Sequence, residues 1–425
     1  MRYLSKLIIP LLGLLLTACG QPSGPPEKGT VLEAWFHTGR PQERRVMEEQ
    51  VARFNASQEE VEVRLTLIPE GDYNTQVLAA AAANRLPDIL DLDGPYLASY
   101  AWQGHLLPLG ELLDPQLRAD LLPSLLSQGS YNGKLYGLGV YDSGLGLFAS
   151  RSGLTAVAAR LPSSPETAWS AAEFTAILAR LAAHDEDRLV LDLRLDYSGE
   201  WFTYAFSPLL QSAGGDLIER PAMARASGVL NSPASQEAMT QLQAWLTYTE
   251  ANIDGNSFIN GRTTLSWCGH WEYPRYKKAL GDDLLLLPLP DMGQGSRTGM
   301  GSWAWAISKN CQKPKQAMTF LHFLLQAEEI LAMCEANGAV PGRRMAIALS
   351  ENYRPGGPLH LFVDQLRFGV PRPQTPAYPV ITSAFQQSFQ DIRHQGEVAA
   401  ALDRAAKTID QEIRDNDGYP ARVRP

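Results

Sequence analysis

Apolar positions along this chain keep two spacings, every second residue in some stretches and every third or fourth in others, and these separate half-buried strands from amphipathic helices. Val61, Val63, Leu65 and Leu67 alternate with Glu62, Arg64 and Thr66, predicting a strand over 61–68. Val46, Met47, Val51 and Phe54 recur at helical spacing over 41–54, after a short apolar strand from Thr30 to Phe36. Strand, helix, strand in this order starts a parallel sheet. An alanine-rich helix over 72–84 follows, then a strand over 88–93 that breaks at Gly94-Pro95-Tyr96 into a helix from Leu97 to Gln103. The glycine-punctuated run from Tyr131 to Gly139 predicts a place where the chain bends and crosses.

A second α/β series begins beyond it. A helix is expected over 165–183, with Trp169, Phe174, Ile177, Leu178 and Leu181 as its apolar face, and a strand over 188–195. Helices are expected from Trp201 to Gly214 and from Ser235 to Glu250. After the proline-stiffened passage 371–379, amphipathic helices over 381–389 and 398–413 should cover the second series. The stretch Gly299 to Lys309 stands apart, because a glycine-bearing loop opens into an aromatic strand. Trp303 and Trp305 are two residues apart and share one face of an extended chain. As a core strand both are buried; as a ligand loop, Gly301, Ser302 and Trp303 face outward and a bend must separate the two indoles.

Composition narrows the class. With 425 residues the chain exceeds what one core usually serves, so two lobes are expected. A formal charge of −9 and the lack of a Lys/Arg run argue against a nucleic-acid partner. Mean hydropathy of −0.18 excludes a polytopic membrane protein. Arg2 and Lys6 followed by the apolar run 7–16 form an export leader over 1–18, and Leu16-Thr17-Ala18-Cys19-Gly20 resembles the bacterial lipobox. The mature chain would start at a diacylglycerol-bearing Cys19, with 19–29 as a Pro/Gly/Ser tether on the outer face of a membrane or in the periplasm. Cys311 precedes one expected helix and Cys334 ends the next, which makes them a candidate disulfide, while Cys268 resembles a small buried hydrophobe. The seven histidines show no ligand spacing and there is no Cys-x-x-Cys, so neither a metal nor a cofactor is expected.

Eight segments in order then carry a resemblance. They are Ala82 to Leu90; Gly104-His105-Leu106-Leu107-Pro108-Leu109; Tyr131 to Leu138; Pro165 to Trp169 with Glu173-Phe174; Gly214-Gly215-Asp216; Phe258 to Leu265; Leu287-Pro288-Leu289-Pro290; and Gly299 to Lys309 with Lys315 to Leu321. Together they resemble the extracellular solute-binding proteins of bacterial ABC importers, in the carbohydrate group that includes the maltose-binding type. Gly139 in place of a usual proline, and Phe148-Ala149-Ser150-Arg151 in place of a usual Tyr-Asn-Lys, depart from the pattern. The resemblance implies a two-lobed α/β fold of the periplasmic-binding-protein type II class, with a hinge of crossing segments and a ligand cleft. Lobe 1 would comprise 30–138 and 296–345, and lobe 2 would comprise 139–295 and 346–425.

A sugar offers hydroxyls to paired donors and acceptors and a C–H face to an aromatic ring. From the first lobe the candidates are Trp35, His37, Asp93, Tyr96, Gly301, Ser302 and Trp303. From the second they are Tyr141, Asp142, Glu200, Trp201, Trp267, Gly269, His270 and Trp271, with Arg343 near the third of the crossings the resemblance implies, at about 135–142, 286–300 and 340–350. The implied partners are a carbohydrate, a polyol or a sugar phosphate, the permease subunits with their ATPase, and the membrane through the lipid anchor; a monomer is expected. The alternatives are a lipid-anchored carbohydrate-active enzyme and a binding protein that serves a sensor. No motif singles out a catalytic carboxylate pair, and there is no Gly-x-Ser-x-Gly, so no catalytic residue is assigned.

Overall fold

The computed structural model describes residues 29–420, so the leader, Cys19 and most of the tether lie outside the described residues. Along the chain, β1 (Thr30–Thr38) and β2 (Val61–Pro69) pair in parallel across their whole length, joined by α1 (Pro41–Ser57). Pro41 starts α1 where a missing N–H costs nothing, and Met47, Val51 and Phe54 form its buried face. After α2 (Glu70–Ala82), β3 (Ile89–Asp93) lies parallel to the other side of β1 and runs into α3 (Leu97–Gln103). The chain then forms β4 (Gly137–Gly139) and passes to β5 (Leu145–Ser150), the first strand of a separate sheet.

That sheet is completed by β6 (Leu191–Asp192), β7 (Leu265–Gly269) and β8 (Leu284–Leu287). Between its strands lie α4 (Ala171–Ala182), α5 (Trp201–Ala213) and α6 (Pro233–Trp245). Two elements depart from expectation. The helix expected from Pro165 starts later, because Pro165–Thr167 is a single tight turn and Ser170 caps α4, accepting from Glu173 N at 3.1 Å. The strand expected over 188–195 keeps only β6, because Arg188 and Arg194 sit at φ +66° and +52°, outside the extended region a ladder needs.

The return is made by β9 (Trp303–Ile307), antiparallel to both β3 and β4, and by α7 (Pro314–Leu324) and α8 (Ala327–Asn337). The sheet orders are therefore β2-β1-β3-β9-β4 and β8-β5-β7-β6. The last helices, α9 (Tyr378–Arg393) and α10 (Val398–Asp415), pack on the second sheet's core, as the tail pattern implied. Phe389 of α9 stacks on Phe202 and Phe206 of α5, with centroids 4.6 and 4.7 Å apart. Between the sheets, Tyr141–Asp142 pairs with Val340–Pro341, and Gly299–Met300 with Val370–Pro371, so the connecting segments brace one another.

Two expectations are corrected by burial. Trp267 is wholly buried inside β7 against Phe206, so it belongs to the second core and presents no face to a ligand. Cys311 and Cys334 are both free thiols packed in the first core, as Cys268 is in the second, and the candidate disulfide is not formed. Burial pushes the Cys311 thiol up to about 11 and raises that of Cys334 well above the ordinary thiol value, which keeps both protonated and inert. Unfolding the unreduced protein in the presence of iodoacetamide should alkylate Cys311 and Cys334 completely, and a cross-linked peptide in the mass map would restore the disulfide.

Candidate functional site

Ion pairs join the ends of the first sheet's strands to the second sheet's elements: Arg40, just past β1, meets Glu272, just past β7, and Asp93, ending β3, meets Glu200 before α5 through Arg372, at the strand ends where open α/β sheets hold ligands. On the first side, His37 is buried with Nδ1 2.5 Å from Asp91 Oδ2. Trp303 stacks on that imidazole, with centroids 3.6 Å apart and planes within 9°, and meets Tyr73 edge-on. Trp305 instead stacks on Phe36 at 5.6 Å, within the core on the other face of the sheet. The two indoles thus part at the loop, where Gly301 takes φ +130°. Half-buried Trp35 packs in the same small cluster as Tyr96 and Trp303.

On the facing side, Trp271 is half-buried and donates from Nε1 to Tyr197 Oη at 3.1 Å. Its ring lies back over the end of β7, where a Cβ on Gly269 would stand 2.0 Å from it, so only glycine fits there. Trp201 meets Trp271 edge-on at 6.0 Å but is buried, its Nε1 bound to Leu193 O. Three predicted site tryptophans are half-buried: Trp35 and Trp303 on the first side, and Trp271, just past β7, on the other.

Two charge clusters cross between the sheets, and the sequence reading missed all four of their arginines. In one, Arg372 lies between Asp93 and Glu200. It donates to the two Asp93 oxygens at 2.7 and 3.1 Å and to Glu200 Oε1, and its guanidinium lies 5.0 Å from the Tyr204 ring. Glu200 also accepts from Tyr378, from Thr382 at 2.7 Å and from Tyr96 at 3.4 Å. Burial raises the Glu200 carboxyl above its ordinary value, with Asp93 adding to the effect while Arg372 opposes it. In the other cluster, Glu272 receives Arg40 from the first lobe together with Arg194 at 3.1 Å, Arg275 at 2.7 Å and the Tyr197 hydroxyl at 2.9 Å. Burial alone would raise the Glu272 carboxyl, but the three arginines hold it below the usual glutamate value.

Other predicted residues lie in the connecting segments. Tyr141 and Asp142 are buried in the crossing pair; Asp142 accepts from Ser143 N at 2.8 Å and from Gln128, whose Oε1 in turn takes Ser302 N at 3.2 Å. Arg343 is corrected: its Nε donates to Asp120 at 2.7 Å and its Nη1 to Leu325 O at 2.8 Å, which ties it within the first lobe and away from the gap. His270 Nδ1 lies 2.8 Å from Asn337 O, leaving Nε2 to accept from the Ser143 hydroxyl at 3.1 Å. This resembles a nucleophile and its base. Both groups are buried, however, and burial lowers the imidazole to about 4, so the pair acts as a strut. Among the described residues, no group of His, Cys, Asp or Glu could hold a metal.

The sequence pattern of bacterial extracellular solute-binding proteins matches residues 49–354. A relative named as an uncharacterized lipoprotein in the oleD 5′ region of Streptomyces antibioticus is 23% identical over 359 residues, 82% of this chain and 78% of that one. The GacH receptor of Streptomyces glaucescens, solved unliganded and with acarbose, superposes with a TM-score of 0.76 at 20% identity, covering 91% of this chain and 98% of its own. The cyclic alpha-maltosyl-1,6-maltose binding protein of Arthrobacter globiformis gives 0.74 at 21% identity, over 91% and 100%. The sugar-binding protein MalE of Xanthomonas citri gives 0.74 at 20%, over 91% and 98%. The expected two-lobed α/β architecture is therefore the observed one.

The His37–Asp91 pair makes stability depend on pH. Burial alone would lower the imidazole, but Asp91 holds it above the ordinary histidine value. A raised folded pKa gives stability that is fully present below about 6.5 and is lost as pH rises through the folded value. The melting temperature should therefore fall across that window, and His37→Gln should flatten this part of the profile. An unchanged slope in the variant would assign the titration elsewhere.

Proposed function

The chain belongs to the bacterial extracellular solute-binding protein family, and from that premise we propose that it captures a sugar or oligosaccharide between its lobes and delivers it to an ABC permease. The observation that carries the sugar class is the pair of half-buried indoles, Trp303 at the start of β9 and Trp271 in the turn after β7. Around them stand planar carboxylates and guanidinia: Asp93, Glu200, Glu272, Arg40 and Arg372. Rings take the apolar C–H faces of a pyranose, while forked acceptors and donors match its adjacent hydroxyls. The acarbose and maltose-type ligands of the structural relatives support the same class.

The ligand contacts we assign are Trp35, Asp93, Tyr96, Glu200, Trp271, Ser302 and Trp303, with Gly269 and Gly301 shaping their seats. Lobe 1 is taken as 30–138 with 296–345 and lobe 2 as 139–295 with 346–425, so that capture is a closure of one against the other. The apolar leader and the Leu16-Thr17-Ala18-Cys19 run support export and acylation at Cys19, and a relative named as a lipoprotein supports the same. The family is one of binding proteins, and the clustered carboxylates already bound to arginine leave no free acid and base to turn a sugar over.

Titration calorimetry after a thermal-shift screen of mono- and oligosaccharides should give saturable binding of one ligand per chain, with a rise in melting temperature. Trp303→Ala and Trp271→Ala should each weaken it by roughly 1.5–3 kcal/mol, about ten- to a hundredfold. Full affinity in both variants would refute the site, and turnover of the sugar would refute the binding role.

A further inference from the structure

The two acids around Arg372 differ in what they have left to offer. Glu200 is filled: Oε1 accepts from Arg372 Nη1 and from the Tyr378 hydroxyl, and Oε2 accepts from Thr382 at 2.7 Å and, most loosely, from Tyr96 at 3.4 Å. Each Asp93 oxygen accepts one N–H of the arginine fork, at 2.7 and 3.1 Å, which uses half of that carboxylate's lone pairs. Nη1 is common to both acids, so the carboxylates stand on either side of a single atom. The arginine side chain is 4% exposed, and a Cβ on Gly301 would stand 2.7 Å from Nη2, so the loop backbone closes over the cation. Arg372 and Glu200 both sit on segments tied to the second lobe, through Pro371 O to Arg220 Nη2 at 2.7 Å and through Tyr378 and Thr382 of α9, so their pair does not depend on how far the lobes are closed. Asp93 joins it from the end of β3 in the first sheet.

We propose that Arg372 is a positioning residue for the solute: standing between Asp93 and Glu200, it lets two carboxylates share one desolvated corner of the gap as charged acceptors and leaves the remaining lone pairs of Asp93 for a solute hydroxyl. Without a cation, two carboxylates so close cannot both stay charged, and one takes up a proton and loses acceptor capacity. The groups that bond the pair from other elements are the neutral hydroxyls of Tyr96, Tyr378 and Thr382. Tyr204 lends the cation a ring face, and Glu70 at the start of α2 is a further acid whose charge opposes that of Asp93. Burial raises the Glu200 carboxyl even with the arginine in place, and Arg372 is the foremost influence that opposes the rise. The role in capture rests on the sugar reading; the charge balance does not.

Thermal melting between about pH 5 and 9, with no solute added, tests the balance. A carboxyl raised on folding takes up a proton, so stability falls as pH rises from the ordinary glutamate value through the folded one. Arg372→Met should carry that fall to higher pH than wild type. Arg372→Lys keeps a cation and should follow wild type, while the double variant of Arg372→Met with Glu200→Gln should lose the extra slope. Where Arg372→Met folds too poorly to melt at neutral pH, the double variant should restore the transition, which a loss of packing at Arg372 would not allow. For the neutral oligosaccharide that shifts the wild-type melt most, Arg372→Met should lose roughly tenfold more affinity at about pH 8 than at about pH 6. Parallel melting profiles for wild type and Arg372→Met, an extra slope that survives in the double variant, Arg372→Lys as steep as Arg372→Met, or an equal loss of affinity at both pH values would each overturn the proposal. The expected melts in a chain that binds no sugar would instead count against the function alone.

Discussion

A guanidinium with almost no access to water is tolerated only where carboxylates replace its hydration, and the two that surround Arg372 come from different lobes. Much of the local sequence is explained by that need. β3 must end in an acid, the turn before α5 must present another, and the loop into β9 must carry glycine where the cation presses on the backbone. Tyr204 closes the box with a ring face, which suits a cation better than an aliphatic side chain of the same size.

The closed arrangement is held by polar contacts rather than by a shared apolar core. Each lobe has its own core, and what passes between them is largely hydrogen-bonded charge: one cation between two acids at Arg372, and one acid among three cations at Glu272. Arg194 is itself bound by Asp196, so each cluster offsets most of its own charge and adds little hydrophobic cohesion between the lobes.

The fold was legible because its signals are local. Alternation in Val61 to Leu67 and helical spacing in Val46 to Phe54 each lie within a dozen residues, and the first sheet formed around them. Where backbone dihedrals broke the pattern, as at Arg188 and Arg194, the expected strand shrank. The site was legible in part. Trp303 and Trp271 were marked by the glycines before them, but Trp267, expected just past a strand, lies inside β7, which turns it to the core. Arg343 looked available because its acid, Asp120, is far off in sequence. Arg372, between two prolines, read as a stiff linker. Its partners lie 279 and 172 residues away, and no periodicity can report such a pairing.

Rigidity around the two indoles bears on how selective the gap can be. Trp303 is held face-on by His37, whose own ring is fixed by Asp91, and Trp271 is held by the Tyr197 hydroxyl over a position where only glycine fits. A ring locked in this way loses no rotamer freedom when a second surface stacks on it, so the contact energy is not consumed in ordering the side chain. The arginines, in contrast, must exchange partners for a solute to enter. Stiff aromatic plates with exchangeable polar clamps favour a ligand that is flat on one face and densely hydroxylated at its edge. An apolar molecule could use the plates, but it would leave Asp93 and Glu200 competing for one cation.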